Sequence, residues 1–544
     1  MASVDDLCRS YLDLKYHFDP AAASSAGLVS HDARFGRFDA DTVREHLSAL
    51  RSLAGAVEEL ESEHLQAEID RTALLGEIRS SIFRLEHERP HARNPAWWLS
   101  HVFQGLYAML SRRNGAADQG ATAERAAAAL ERLRQVPAFL DAARDTLDEP
   151  PSVFVDTALG MLGGGGELIV QLVAVLDRGP AERRADLQAA GGQALEALKR
   201  FGTALRDELE PASDPHAFAV GEDQFSRRLH HEHALTSGAP ELWRYGLHLQ
   251  EETEAALAAL AATMGGRPWR ELVEELRGDS PETDALLPFY RAELDRAQAF
   301  VRERDLVSIP REPVDLVATP GFLVALVPFA AYEPPPIFLE HQTGRFYVTE
   351  PDPAAPAEVR ARQRRGHCRH AIPAMVAHEA YPGHHLQLVT AQGLASEVRR
   401  HVWTPVMVEG WALYCEQLME EAGYYRDDEA RLFRLVNLLW RAIRIVLDVG
   451  LHTRGMSPAE AVDYMVEHLP IERASAEAEV RRYCAYPTYQ LCYAVGRREL
   501  LRLRDAYRER AGASFRPKVF HDELLAYGGL PVTLARWGME LGEE

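Results

Sequence analysis

The segment His378-Glu379-Ala380-Tyr381-Pro382-Gly383-His384-His385 gathers the side chains that a catalytic zinc site uses. Such a site takes three protein ligands of the His and Glu kind and leaves a fourth position to water. A nearby carboxylate accepts that water's proton. The usual solution is His-Glu-x-x-His on one helix, because residues four apart share a face. Here the apolar run Ala371 to Ala377 leads into His378-Glu379, as expected of a buried helix. The position four residues on is Pro382, which cannot bind metal. The next histidines are His384 and His385. On an unbroken helix His385 would return to the His378 face, but about 10 Å along the axis, too far to share one ion. The helix must therefore bulge or break. Pro382 removes a ladder hydrogen bond and Gly383 permits backbone angles closed to other residues, so the pair supplies that distortion. Inserting two residues into the usual spacing lands on His384, which makes His378 and His384 the expected ligands and Glu379 the general base. His385 is the alternative second ligand, or else supports the site or faces substrate.

The third ligand should come from a later helix. Glu409-Gly410-Trp411-Ala412-Leu413-Tyr414 offers a glutamate with small and aromatic neighbours, 25 residues after His384. Further on, Arg441, Arg444, Asp448 and His452 recur at spacings of three, four and four on one helical face, with apolar residues on the others. That stripe reads either as a salt-bridged surface or as a wet interior face lining a channel. From Tyr486 to Arg497 the chain supplies phenols and a guanidinium that could donate to the oxyanion of a tetrahedral intermediate. The cluster His230-His231-Glu232-His233 lacks helical metal spacing and is expected at the surface.

The elements that must position these residues are mainly helices. From Asp41 to about Arg304 apolar residues recur at three- and four-residue spacing, as in Leu47, Leu50, Leu53, Val57 and Leu60. Breaks are expected near Arg112-Ala117, Asp148-Ser152, Gly163-Gly166, Arg178-Ala181, Pro211-Pro215 and Gly278-Pro281. The glycine run Gly163 to Gly166 has no Lys-Ser/Thr after it and no strand before it, so it reads as a turn between helices rather than a phosphate cradle. Between Val314 and Asp352, prolines alternate with Phe322-Val324, Ile337-Leu339 and Phe346-Val348, a texture of short strands. A sheet there would lie next to the metal helix, where it could hold an extended substrate by edge pairing. The expected fold is mainly α, a large multi-helix body with a small β-sheet beside the metal site. It divides into an N-terminal helical region (1–310), a β/loop segment (311–360) and a C-terminal helical catalytic region (361–544).

Bulk properties narrow the function. A chain of 544 residues with 47% hydrophobic content buries a large core without disulfides. A net charge of −22 argues against nucleic acid, whose binding needs clustered cations. Five cysteines, odd in number and without a CxxC pair, fit a reducing cytoplasm. Asp5, Asp6 and Asp13 interrupt the place of a signal-peptide core, and no run of about 18 apolar residues follows. The expectation is a cytoplasmic protein with no membrane partner.

Taken together, these segments resemble the DUF885 family, bacterial proteins to which a metallopeptidase function is ascribed. The resemblance rests on His378 to Gln387, on Glu409 to Tyr414, and on Arg441-Ala442 through Asp448 to His452. It continues through Pro487 to Gly496, then Phe520-His521-Asp522 and Gly529-Leu530-Pro531, in family order and densest in the C-terminal third. One departure is Tyr489, where the family commonly has glutamine; Gln490 follows it. The resemblance implies a mostly helical fold related to the Glu-zincin peptidases, with Glu409-Gly410-Trp411-Ala412 as the zinc-glutamate helix. The combined expectation is a zinc-dependent hydrolase cleaving an amide in a short peptide or peptide-like compound. One Zn²⁺ per chain would sit on His378, His384 and Glu409. Glu379 would act as base, Tyr493 and His452 would stabilise the oxyanion, and Arg497 would meet a substrate carboxylate. The rival expectations are a tailoring hydrolase of a non-peptide amide or ester, and a non-catalytic helical scaffold with a structural metal.

Overall fold

Stripes of apolar residues at helical spacing fold most of this chain into α-helices, and a computed structural model describes residues 2–111, 123–176, 183–324, 327, 329–340 and 342–542. Local signals start the helices where expected. Asp427, for example, accepts a hydrogen bond from the Ala430 N–H and so caps the long helix Asp428–Thr453. Asp428 and Glu429 in its first turn complement the helix dipole. From Ala442 to His452 every residue of that helix is buried, which makes it a central element rather than a surface one. The helix Pro405–Glu421, opened by the Thr404 cap with Pro405 in its first turn, is apolar and buried almost all round.

Three short strands form the only sheet among the described residues. β1 (Val314–Ala318) runs parallel to β3 (Gly344–Val348), and β2 (Ala330–Glu333) runs antiparallel to β3 on its other side. The register pairs Leu316 and Tyr332 with Phe346 from either side. The mainly helical fold with a small sheet is therefore as expected. Two of the expected strands are not strands. Gly321–Leu323 is a 3₁₀ turn after Pro320, and Ile337 to Leu339 lies in a turn after Pro334 to Pro336. Proline supplies no ladder donor and holds φ near its own value, so these runs have no neighbour to pair with.

The largest hydrophobic core draws on residues from Cys8 to Leu541, so helices from both ends of the chain pack around the sheet and the His378 segment. A second core lies among Phe35 to Leu205, and a third, from Val153 to Cys484, packs on the helix Asp428–Thr453. All five cysteines are free and buried.

The expected breaks at Asp148-Ser152, Pro211-Pro215 and Gly278-Pro281 fall between helices. Those at Arg112-Ala117 and Arg178-Ala181 lie outside the described residues. The turn expected at Gly163-Gly166 is absent: these glycines sit inside one helix, Ser152–Leu176. A Cβ on Gly165 would lie 1.9 Å from the Phe103 ring. The bare backbone there admits an aromatic side chain of the helix Pro95–Ser111, which offsets the conformational cost of glycine in a helix. By length and composition this same helix is apolar enough to cross a membrane, although it contains no unbroken run of about 18 apolar residues. Asp156 and Glu167 interrupt its apolar residues and hide it from a search for an unbroken run.

Candidate metal centre

The His378 segment breaks as its sequence requires. One helix, Ile372–Glu379, ends at the glutamate, and the next, His384–Gln392, begins at the histidine. A Cβ on Gly383 would lie 1.8 Å from the backbone oxygen of His378, so only glycine fits the reversal between them. From the helix Pro405–Glu421, the Trp411 indole donates to the Pro382 backbone oxygen at 2.9 Å and ties the break to the Glu409 helix. That helix is pressed against Cys492–Ala511, where a Cβ on Gly410 would lie 2.5 Å from the Gly496 Cα. The close crossing brings Tyr489 and Tyr493 to Glu409.

The break carries His384 round to His378. Their rings meet at 90° with centroids 4.8 Å apart. Glu409 Oε2 lies 3.4 Å from His384 Nε2 and 3.8 Å from His378 Nε2. The three donor atoms all fall within 4.8 Å of one another. Ligand atoms on a tetrahedral zinc with bonds near 2.1 Å stand roughly 3.4 Å apart, so the two carboxylate separations are close to that spacing and the two imidazoles would draw together to hold a single ion. His378 Nδ1 donates to Glu416 at 2.9 Å, an arrangement that fixes its tautomer and turns Nε2 toward the shared centre. Tyr489 donates to Glu409 Oε1 at 2.7 Å. Burial alone would raise the pKa of Glu409, but the hydrogen bond and charge of His384, with His378 and Tyr489, hold it down at about 2. Burial disfavours the His384 cation, and the Glu409 carboxylate outweighs that and raises its pKa.

His385 is not part of the cluster. Its Nδ1 is 3.0 Å from the Tyr332 hydroxyl and its Nε2 donates to the Glu312 backbone oxygen, which fastens β2 and the approach to β1 onto the metal segment. Glu379 accepts from the Tyr332 N–H at 3.0 Å, so its carboxylate lies between the sheet edge and the imidazoles. Its charge is close enough to act on His384.

The other expected site residues divide. The Tyr493 ring lies nearly parallel to that of His378, with centroids 6.4 Å apart, beside the cluster. Burial, and then the Glu409 charge, raise the pKa of its hydroxyl, keeping it a proton donor. His452 is a correction. Its ring is 1% exposed, its Nε2 donates to the Tyr483 backbone oxygen at 3.0 Å, and it packs on Phe218 and Phe225, so it is a core histidine. Arg497 is a second correction: its Nε donates to Gln417 at 2.7 Å, away from the shared centre, because the crossing at Gly496 turns its side chain along the Glu409 helix. The stripe from Arg441 to His452 is interior: Asp448 is fully buried and accepts from the Thr488 and Leu491 N–H groups, fastening the turn that presents Tyr489. The cluster at His230 is only partly exposed. His233 is buried and bridges Thr404 to Thr488, holding the start of the Glu409 helix against the Tyr489 turn. Sequence reasoning missed Glu416. The available signal was its place two turns beyond Glu409, on the same face of an apolar helix.

The family pattern of DUF885, described as a bacterial protein of unknown function, matches residues 20–539. The chain belongs to the DUF885 family. Two solved structures share the fold of this DUF885 chain. One, "a putative lipoprotein of unknown function" from Shewanella oneidensis, is 21% identical with a TM-score of 0.81, covering 99% of this chain and 100% of its own. The other, a "putative lipoprotein" from Colwellia psychrerythraea, is 19% identical with a TM-score of 0.83, covering 99% of each. No curated protein matches. The expected cytoplasmic location is withdrawn, because both of these solved structures are described as putative lipoproteins. Buried free cysteines do not require a reducing compartment, since burial itself protects a thiol.

Proposed function

We propose that this protein is a zinc-dependent hydrolase that cleaves the amide bond of short peptides or peptide-like compounds. The observation that carries the reading is the meeting of His378 Nε2, His384 Nε2 and Glu409 Oε2, with Glu379 beside them. The donor set is that of catalytic zinc: a structural site is closed by four protein ligands, and this cluster, among the described residues, holds three. A divalent ion held there supplies Lewis acidity toward a carbonyl oxygen and a water molecule.

The chain's own groups do the rest. Glu379 takes a proton from the water as its oxygen bonds to the amide carbon, and returns that proton to the nitrogen as the carbon–nitrogen bond breaks. The Tyr493 hydroxyl, held protonated, donates to the oxygen on which negative charge develops. Glu416 fixes the His378 ring, and Tyr489 fixes the Glu409 carboxylate.

Metal analysis of the purified protein, with peptide hydrolysis by wild type and Glu379→Gln, tests this reading. One zinc per chain in both proteins is expected, with hydrolysis about 10²- to 10⁴-fold slower in the variant. A protein that takes up no zinc, or a variant as active as wild type, overturns it.

A further inference from the structure

On the face of Tyr493 stands a group of guanidiniums whose charge is not balanced. Arg444 Cζ lies 4.7 Å and Arg441 Cζ 5.7 Å from the ring centroid, and the charge of Arg482 also reaches its hydroxyl. Arg444 and Arg482 share a single carboxylate, Glu479, at 3.2 and 2.8 Å. Arg441 has none within ion-pair distance among the described residues. Its Nη1 donates to the Asn437 backbone oxygen of its own helix at 3.3 Å, and its Nε is buried without a hydrogen-bond partner. Of the neighbouring arginines, Arg434 pairs with Glu420 and Arg504 with Glu421, while Arg497 also lacks a carboxylate among the described residues but is met by the Gln417 side chain. The Nε of this half-buried guanidinium has given up hydration for no protein acceptor, which is costly unless something else supplies one.

Resting on the hydrolase reading above, we propose that Arg441 binds the free C-terminal carboxylate of the substrate. The enzyme would then be selective for amides whose leaving amine carries a carboxylate, as in the C-terminal residue of a short peptide. The guanidinium fork matches a carboxylate in two parallel hydrogen bonds. Arg441 Cζ stands 5.7 Å from the centroid of the ring that stacks over the His378 imidazole, so a carboxylate bound to it would lie beside the candidate metal centre. The shared Glu479 leaves Arg444 and Arg482 with one net positive charge, which adds to the attraction. The role expected of Arg497 thus passes to Arg441. The competing assignment is structural: the charge of Arg441 also helps to lower the pKa of Glu416, whose Oε2 is buried and unpartnered, so Arg441 could serve only to hold Glu416.

A library of N-acetylated tripeptides with free C-termini, and the same library as C-terminal amides, separates the assignments when offered to zinc-loaded wild type, Arg441→Gln and Arg441→Lys. Wild type is expected to cleave the free acids at least about tenfold more efficiently than the amides, the size of one charged hydrogen-bonding contact. Arg441→Gln should raise KM for the acids alone and erase the preference, Arg441→Lys should recover part of it, and both variants should keep one zinc per chain. Equal cleavage of the two libraries by wild type, an equal loss on both in Arg441→Gln, or loss of zinc from that variant overturns the carboxylate site and leaves the hydrolase reading standing. If neither library is cut, the hydrolase reading falls and takes this inference with it.

Discussion

His378 and Glu416 form a buried pair, Nδ1 to Oε1 at 2.9 Å, in which the carboxylate is 1% exposed and reaches the imidazole from two turns down the neighbouring helix. Burial opposes the Glu416 charge, while the hydrogen bond from His378 and the charges of Arg441, His378 and Arg434 keep its pKa low. The anion therefore holds the imidazole as an Nδ1–H tautomer with Nε2 free for metal. Glu416→Gln keeps the acceptor but not the charge, and zinc affinity measured by competition with a chelating dye should fall about tenfold; Glu416→Ala should lose about a hundredfold. Unchanged affinity in the alanine variant would remove Glu416 from the site.

Tyr489 makes the corresponding contact to Glu409, at 2.7 Å. Tyr489→Phe removes one hydrogen bond from a buried carboxylate and leaves the packing, so zinc affinity should fall by about fivefold to tenfold with little change in fold. Calorimetric titration of metal-free protein would measure this, and the circular dichroism spectrum should not move.

Gly383→Ala puts a methyl group 1.8 Å from the His378 backbone oxygen. Backbone on both sides prevents relief by side-chain movement, so a loss of about 3 kcal/mol in unfolding free energy is expected. Zinc uptake should fall with it, since the same backbone carries both histidines. An alanine variant as stable as wild type would mean that the reversal is built differently.

Acid should unfold the protein well above the usual carboxylate range. His233, His452 and His521 are fully buried, and burial pushes each pKa down to about 4. A histidine whose folded pKa is depressed contributes stability above its unfolded value, about 6.5, that drains away as pH falls toward the folded value. Denaturant unfolding across pH 4 to 7 should therefore show stability declining below about 6.5. Asp448 contributes with the opposite sign. Burial raises its pKa to about 7, so its contribution is lost as pH rises from about 4 to about 7. It acts with the raised His101 and His384, and the depressed histidines, which also include His46, His367 and His401 at about 4, outnumber these. Stability that increases on acidification would contradict the burial of these rings.

Zinc should stabilise the fold as well as serve chemistry. Its ligands come from three helices, Ile372–Glu379, His384–Gln392 and Pro405–Glu421, which the ion would tie together. At a hundredfold excess over the dissociation constant, the gain is about 2.7 kcal/mol. The thermal midpoint should drop on treatment with a chelator and recover with added Zn²⁺. Absence of any shift would count against a site in the folded protein.

The chemistry-bearing residues were legible because metal ligation demands particular side chains at particular local spacings. Pro382 sits where His-Glu-x-x-His has its second histidine, and a broken helix followed from that alone, with His384 or His385 as the candidate second ligand. The helical class followed equally from apolar periodicity, and the small sheet from the proline-rich strand texture. Contacts between distant segments were not legible, because no local pattern records them. His452 lies on the same helical face as Arg441, yet the two differ in role, since one meets the Tyr483 backbone and the other the Tyr493 ring. Gly163 to Gly166 read as a turn, and only Phe103 packing on Gly165 explains a helix there. Local covalent geometry and side-chain chemistry determined which residues can bind metal. The packing of helices far apart in the chain decided which of the remaining polar groups face the His378, His384 and Glu409 cluster and which support it from behind.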